Sequence, residues 1–149
     1  ITTISVTHDL TEAFVMSDRI GIMLDGRLVQ YDTAGEIYHN PSSVEAARFL
    51  GPVNRLSPAL CHTLGLAFDR PEQDGDVFAR PEALRVARDP DGPGLIESVT
   101  FVGHYICYEV RVGEDLLLVF DLDDEFKPGD RVRVMVTRYL RSQPSIRAS

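Results

Sequence analysis

Five short stretches of β-branched, aliphatic and aromatic residues follow one another between Val77 and Leu140, each closed by turn residues and with almost no helical periodicity. That texture constrains the fold more than any other feature, because a period of two cannot be satisfied by a helix and short strands must close on one another to bury their apolar face. Leu84 and Val86 alternate with Arg85. Leu95, Val99 and Phe101 fall on one expected face, as do Ile106, Tyr108, Val110 and Val112 in the next run. Gly113-Glu114-Asp115 turns that run into residues 116–122, and Lys127-Pro128-Gly129-Asp130 turns again into Val132, Val134 and Val136. The pattern predicts an antiparallel meander curling on itself into a small all-β barrel or sandwich. Residues 69–76 are acidic, contain Pro71 and Gly75, and read as a loop; the tail, residues 143–149, reads as frayed.

Residues 1–51 have a different texture, an α/β one in which short β runs alternate with helical segments. Three capping-box spacings mark helix starts: Asp9 to Glu12, Thr33 to Glu36 and Ser42 to Glu45. Leu10, Ala13, Phe14 and Ser17 then recur at helical intervals. Residues 19–31 read as a hairpin, with Ile20, Ile22 and Leu24 alternating and Asp25-Gly26 as the tight turn. Residues 1–6 are apolar and β-branched and read as the interior of a strand, as though the chain began in mid-domain. Gly51-Pro52 is the natural boundary, giving a first domain over 1–51 and a second over 52–142.

Length and charge narrow the function. A chain of 149 residues can bury one substantial core, or a small core beside the remnant of another. A formal net charge of -8 argues against a surface that tracks phosphates, so nucleic acid is not expected as a partner. No apolar run approaches the roughly 20 residues of a spanning helix, so any membrane contact goes through a partner protein. Two cysteines, Cys61 and Cys107, are too few for a disulfide framework and fit a reducing compartment.

The sharpest local chemistry is Val6-Thr7-His8-Asp9, at the end of an apolar run and directly before a capped helix. A histidine at the C-terminal edge of a strand in an α/β sheet lies where such sheets bind ligands, and its imidazole can donate to a phosphate oxygen or orient a water. The alternative is a strand-end histidine that only hydrogen-bonds backbone.

These residues continue into an ordered series: Glu12-Ala13, Asp18-Arg19-Ile20, Gly26-Arg27-Leu28-Val29-Gln30, Glu36-Ile37-Tyr38, Pro41 and Phe49-Leu50-Gly51. The series resembles the stretch after the Walker B region in the ATPase subunits of ABC importers. Ala79-Arg80-Pro81-Glu82-Ala83-Leu84 and Gly129-Asp130-Arg131-Val132 resemble the TOBE domain, an oligonucleotide-binding-like barrel that one branch of those subunits carries. The resemblance implies an α/β remnant of a nucleotide-binding domain followed by an OB-like TOBE barrel. It implies His8 as the H-loop residue that contacts the γ-phosphate, and ATP with Mg2+ as the substrate complex of the full-length parent. It further implies membrane-spanning permease subunits as partners, a homodimer, and a cytoplasmic position on the inner face of the cell membrane.

Leu10, Asp32 and Ala34 depart from the usual pattern, which has Gln, Gly and Pro there. More consequential is that no G-x-x-x-x-G-K-[ST] loop is present and the only lysine, Lys127, stands in a turn. By itself the chain is expected to bind no cofactor and to be inactive, and a free-standing small-ligand or oxyanion-binding barrel is the alternative reading. Apolar residues such as Phe14, Ile20, Ile22 and Leu24 are expected to be left exposed by a severed remnant, favouring a swapped or rearranged dimer. Cys61, His62, His104 and Cys107 lack tight metal-ligand spacing, so no metal is expected. Asp121, Asp123, Asp124 and Glu125 read as a solvated acidic turn, and Phe101, Tyr105 and Tyr108 as core packing.

Overall fold

A computed structural model describes residues 1–66 and 77–141, so the acidic stretch 69–76 and the tail from 142 lie outside the described residues. The chain forms two compact units, Ile1–Gly51 and Pro52–Ser149.

The first unit is α1 (Leu10–Met16), β1 (Ile20–Leu24), β2 (Arg27–Asp32), α2 (Ala34–His39) and α3 (Val44–Leu50). Asp9 and Thr33 cap α1 and α2 by accepting from the backbone N–H of Glu12 and Glu36. The hairpin turns at Asp25 and Gly26, at φ 48° and 73°, the paired positive values a two-residue turn of this hand requires. A bulge then appears: Ile22 pairs with Gln30 but Met23 pairs with Leu28, which leaves Val29 between the two pairs. Ser42 Oγ donates to the Val29 carbonyl at 3.1 Å, while Gln30 Oε1 accepts from Ser42 N at 2.9 Å. Ser42 is thereby committed to the hairpin, and the cap expected of it passes to Ser43, whose hydroxyl accepts from Ala46 N.

Two further expectations are corrected here. Residues 1–6 form no strand; Ile1, Ile4 and Val6 are exposed, because a strand needs a neighbour for its backbone groups and none of the described residues provides one. Ile20, Ile22, Leu24 and Phe14 are not left bare either. They gather with Ile37, Ala46 and Leu50 into a small core in which Ile22 and Ile37 are 2% and 0% exposed. Because of the bulge at Val29, Leu28 and Tyr31 share the hairpin's outer side with Met23, and all three are exposed.

The second unit begins with β3 (Asn54–Leu56) and α4 (Pro58–Thr63), neither expected from the sequence, and continues with β4 (Val77–Ala79) and a 3₁₀ turn, Pro81–Ala83. It is completed by β5 (Leu84–Arg88), β6 (Gly94–Phe101), β7 (Ile106–Val112), β8 (Asp115–Asp121), β9 (Arg131–Val136) and β10 (Leu140–Arg141). The unit is therefore mostly β and not all-β. Its strands form two antiparallel sheets, ordered β10-β4-β3 and β5-β9-β6-β7-β8.

Only β6, β7 and β8 follow one another as a meander. β9 returns across the sheet to lie between β5 and β6, so the expected simple meander is replaced by a crossover. Gly92 and Gly94 make this possible. A methyl group on Gly92 would overlap the Val132 carbonyl, and one on Gly94 would sit 3.0 Å from side chains of Val110 and Val132.

One contiguous core joins both sheets to α4. Tyr108, Val110, Val119, Val132, Leu84 and Ala79 are all 0% exposed within it, and Leu56, Leu60 and Cys61 pack beside them. Burying each large aliphatic side chain here contributes about 1.5–3 kcal/mol. The alternating faces of β7, and of Leu84 with Val86, are buried as their period predicts. β6 differs: a register shift between Ile96 and Ser98 changes the parity of the strand. Ile96 faces the core on one side of the bulge and Val99 packs against it on the other, while Leu95 is only half-buried and Phe101 is 73% exposed.

Candidate functional site

His8 occupies the turn that leads into α1, and its surroundings are built from a closed chain of hydrogen bonds. Asp9 Oδ1 accepts from Glu12 N at 3.1 Å, the ordinary N-cap contact. In a simple capping box the Glu12 carboxylate would return to Asp9 N. Here the return passes through a hydroxyl: Asp9 N donates to Thr7 Oγ1 at 3.0 Å, and Thr7 Oγ1 donates to Glu12 Oε2 at 3.3 Å. Residues on both sides of His8 are thus tied to the first turn of the helix. The imidazole is exposed and makes no hydrogen bond to any of the described residues. The backbone-bonded histidine left open by the sequence is not what these residues form.

The spacing of Asp9 and Glu12 is legible from sequence, but Thr7 is not part of that pattern. Its signal is a hydroxyl residue two positions before the cap, the offset at which a side chain closes a turn onto a backbone N–H.

Other candidate groups in the second unit have local duties. Asn54 is 5% exposed; its Nδ2 donates to the Leu118 carbonyl and its Oδ1 accepts from Leu118 N, both at 2.8 Å. Arg80, also 5% exposed, leads into the 3₁₀ turn, whose Ala83 carbonyl accepts from Thr137 N and Thr137 Oγ1, each at 2.8 Å. Arg88 lies 3.6 Å from Asp130 and donates to the Glu125 carbonyl, with its guanidinium over the Phe126 ring.

Among the described residues no group of three His, Cys, Asp or Glu side chains is placed to hold a metal ion. Cys61 is buried in α4 with its thiol directed at the Leu56 carbonyl, and burial raises its pKa. Burial and the nearby Glu109 carboxylate raise that of Cys107. Asp121 Oδ1 accepts from the N–H groups of Leu122 and Asp123, closing its own turn. The three aromatic residues expected in the core divide. Tyr108 is fully buried and donates to the Asp123 carbonyl at 2.7 Å; Tyr105 is half-buried against Phe120; Phe101, the last residue of β6, is exposed.

Residues 77–138 match the TOBE domain family. The chain is 36% identical over 138 residues to a sulfate/thiosulfate import ATP-binding protein of Synechococcus elongatus, an alignment covering 89% of this chain and 38% of that protein. It is 33% identical over 157 residues to a spermidine/putrescine import ATP-binding protein of Oleidesulfovibrio alaskensis, covering 90% and 40%. A protein of the latter description from Nitratidesulfovibrio vulgaris is 36% identical over 152 residues, covering 83% and 41%. The chain thus spans about two fifths of the length of the curated relatives it matches. No helix among the described residues is long and apolar enough to cross a membrane. With a TOBE domain matched in its second unit, the chain is similar along most of its own length to import ATP-binding proteins.

Proposed function

We propose that this chain forms the C-terminal part of the ATP-hydrolysing subunit of an ABC import system, with residues 1–51 ending its nucleotide-binding domain and residues 52–142 forming an accessory, regulatory and dimer-contact domain. The observation that carries the reading is His8, an exposed imidazole held at the head of a capped helix within Val6-Thr7-His8-Asp9. In this reading ATP with Mg2+ is cradled by a phosphate loop that is not among these residues, and His8 reaches the γ-phosphate. It holds that group and the attacking water in line and supplies a hydrogen bond where charge develops.

The partners are membrane-spanning permease subunits and a second copy of the ATPase, at the cytoplasmic face of the membrane. Nucleic acid has no role, since a net charge of -8 opposes it. The relatives' names include sulfate/thiosulfate and spermidine/putrescine import, so the cargo is a small charged solute.

His8→Ala in the full subunit is the test. ATP affinity should stay within about threefold while kcat falls roughly 10²-fold or more, the scale of losing one positioned catalytic group. Cys107→Ser, on a strand of the accessory domain, should leave turnover at the parental rate. Parental turnover in the His8→Ala subunit would refute the assignment.

A further inference from the structure

The backbone that carries the His8 imidazole is braced by hydrogen bonds of the residues on both sides of it. To the ordinary N-cap contact that backbone adds a second brace through Thr7. The N-cap contact from Glu12 N to Asp9 Oδ1 fixes the residue after His8, and the Thr7 hydroxyl fixes the residue before it by accepting from Asp9 N. The Glu12 carboxylate then accepts from the same hydroxyl, orienting its lone pairs toward Asp9 N. The three contacts form a ring that passes around His8 and contains none of its atoms.

We propose that Thr7, Asp9 and Glu12 are positioning residues for His8, locking the turn so that the imidazole is presented in one direction. The proposal rests on His8 acting at the γ-phosphate. Misplacing a catalytic group by about 1 Å costs on the order of 10²-fold in rate, so a frayed turn reduces turnover with little effect on nucleotide affinity. The oxygen of residue 9 matters here and its charge does not, since Asn caps a helix about as well as Asp.

The experiment compares Asp9→Ala, Asp9→Asn, Thr7→Val and His8→Ala in the full subunit, together with amide hydrogen exchange at Glu12 in the 149-residue chain. Asp9→Ala should lower kcat about tenfold with KM for ATP within about twofold, and Asp9→Asn should recover most of the loss. Thr7→Val keeps the cap and removes only the relay, so it should lower kcat about threefold. Exchange at Glu12 should quicken in Asp9→Ala and return toward parental values in Asp9→Asn. If His8→Ala abolishes turnover while Asp9→Ala and Thr7→Val both keep parental kcat, the positioning role is wrong and the role of His8 stands. Should Asp9→Asn be as slow as Asp9→Ala, the carboxylate acts by charge and the proposal is overturned. A parental rate in His8→Ala removes both. If Asp9→Ala quickens exchange throughout the first unit, Thr7→Val and Asp9→Asn alone decide, with parental kcat in the former counting against the proposal.

Discussion

The side-chain amide of Asn54 pairs with the backbone of Leu118 as a neighbouring strand would, donating to its carbonyl and accepting from its N–H at 2.8 Å each, across 64 residues of sequence. β8 is the edge of its sheet, and Leu118 sits where its backbone groups point away from β7. Asn54 therefore satisfies both polar groups of an edge position while itself lying on β3 of the other sheet.

Asn54→Ala removes both partners at once. Each backbone group left without one costs about 1–3 kcal/mol where water is excluded, so the loss should be at least about 2 kcal/mol. Asn54→Asp should do no better, since a carboxylate accepts from Leu118 N but opposes the carbonyl. Urea unfolding followed by circular dichroism measures both; an unchanged midpoint in Asn54→Ala would show that the pairing contributes nothing.

Gly92 and Gly35 make a matched pair of substitutions. A methyl group on Gly92 would overlap backbone atoms of Val132 and come within 2.9 Å of Arg133 N, and backbone cannot step aside cheaply. Gly92→Ala should cost about 2 kcal/mol or more through strain in the β5-β9-β6 region. Gly35, in α2, would meet nothing within 4 Å. Gly35→Ala should stabilise by up to about 1 kcal/mol. Equal thermal midpoints for the two variants would contradict the packing around Gly92.

Tyr108→Phe tests a buried hydroxyl and a pH dependence together. Loss of the hydrogen bond to the Asp123 carbonyl should cost about 1 kcal/mol at neutral pH. Burial raises the pKa of Tyr108, and likewise those of Cys61 and Cys107. For acids with raised folded-state pKa values, the associated stability is fully present below the unfolded values, about 8.5 for a thiol and about 10 for a phenol, and declines as pH rises through them. Unfolding midpoints should therefore fall above about pH 9, and less steeply above pH 10 in Tyr108→Phe. A parental slope in that variant would mean that Tyr108 is not among the groups resisting ionisation.

The 149-residue chain alone should bind ATP negligibly, because it contains no phosphate loop and its only lysine, Lys127, stands in a turn. Calorimetric titration should give no saturable heat at micromolar protein; a micromolar affinity would place a nucleotide site within these residues.

What could be read from sequence was local. The caps at Asp9 and Thr33 and the Asp25-Gly26 turn involve partners within a few residues, and the residue types alone specify them. The buried face of β7 is equally plain, because Ile106, Tyr108, Val110 and Val112 keep one parity along an unbroken strand. His8 stands out for the same reason, as a histidine placed directly before a cap. The Thr7 relay was missed because it depends on how the side chains of residues 7 and 12 meet, which spacing does not fix.

Tertiary structure decided everything that depends on distant partners. Ser43 caps α3 because Ser42 is drawn to the bulge at Val29, and Leu95 leaves the face of Val99 and Phe101 because the bulge in β6 shifts the parity between them. β9 crosses to pair with both β5 and β6 only where glycines permit the approach, and Asn54 becomes a surrogate strand only once β8 is an edge. Periodicity and capping are properties of a few consecutive residues, so the sequence was enough to place α1, α2, the β1–β2 hairpin and β7, but not β3 or α4. Which side of a strand faces inward, which strands are neighbours and which polar groups need a partner depend on contacts up to 64 residues apart, and those exist only in the folded chain.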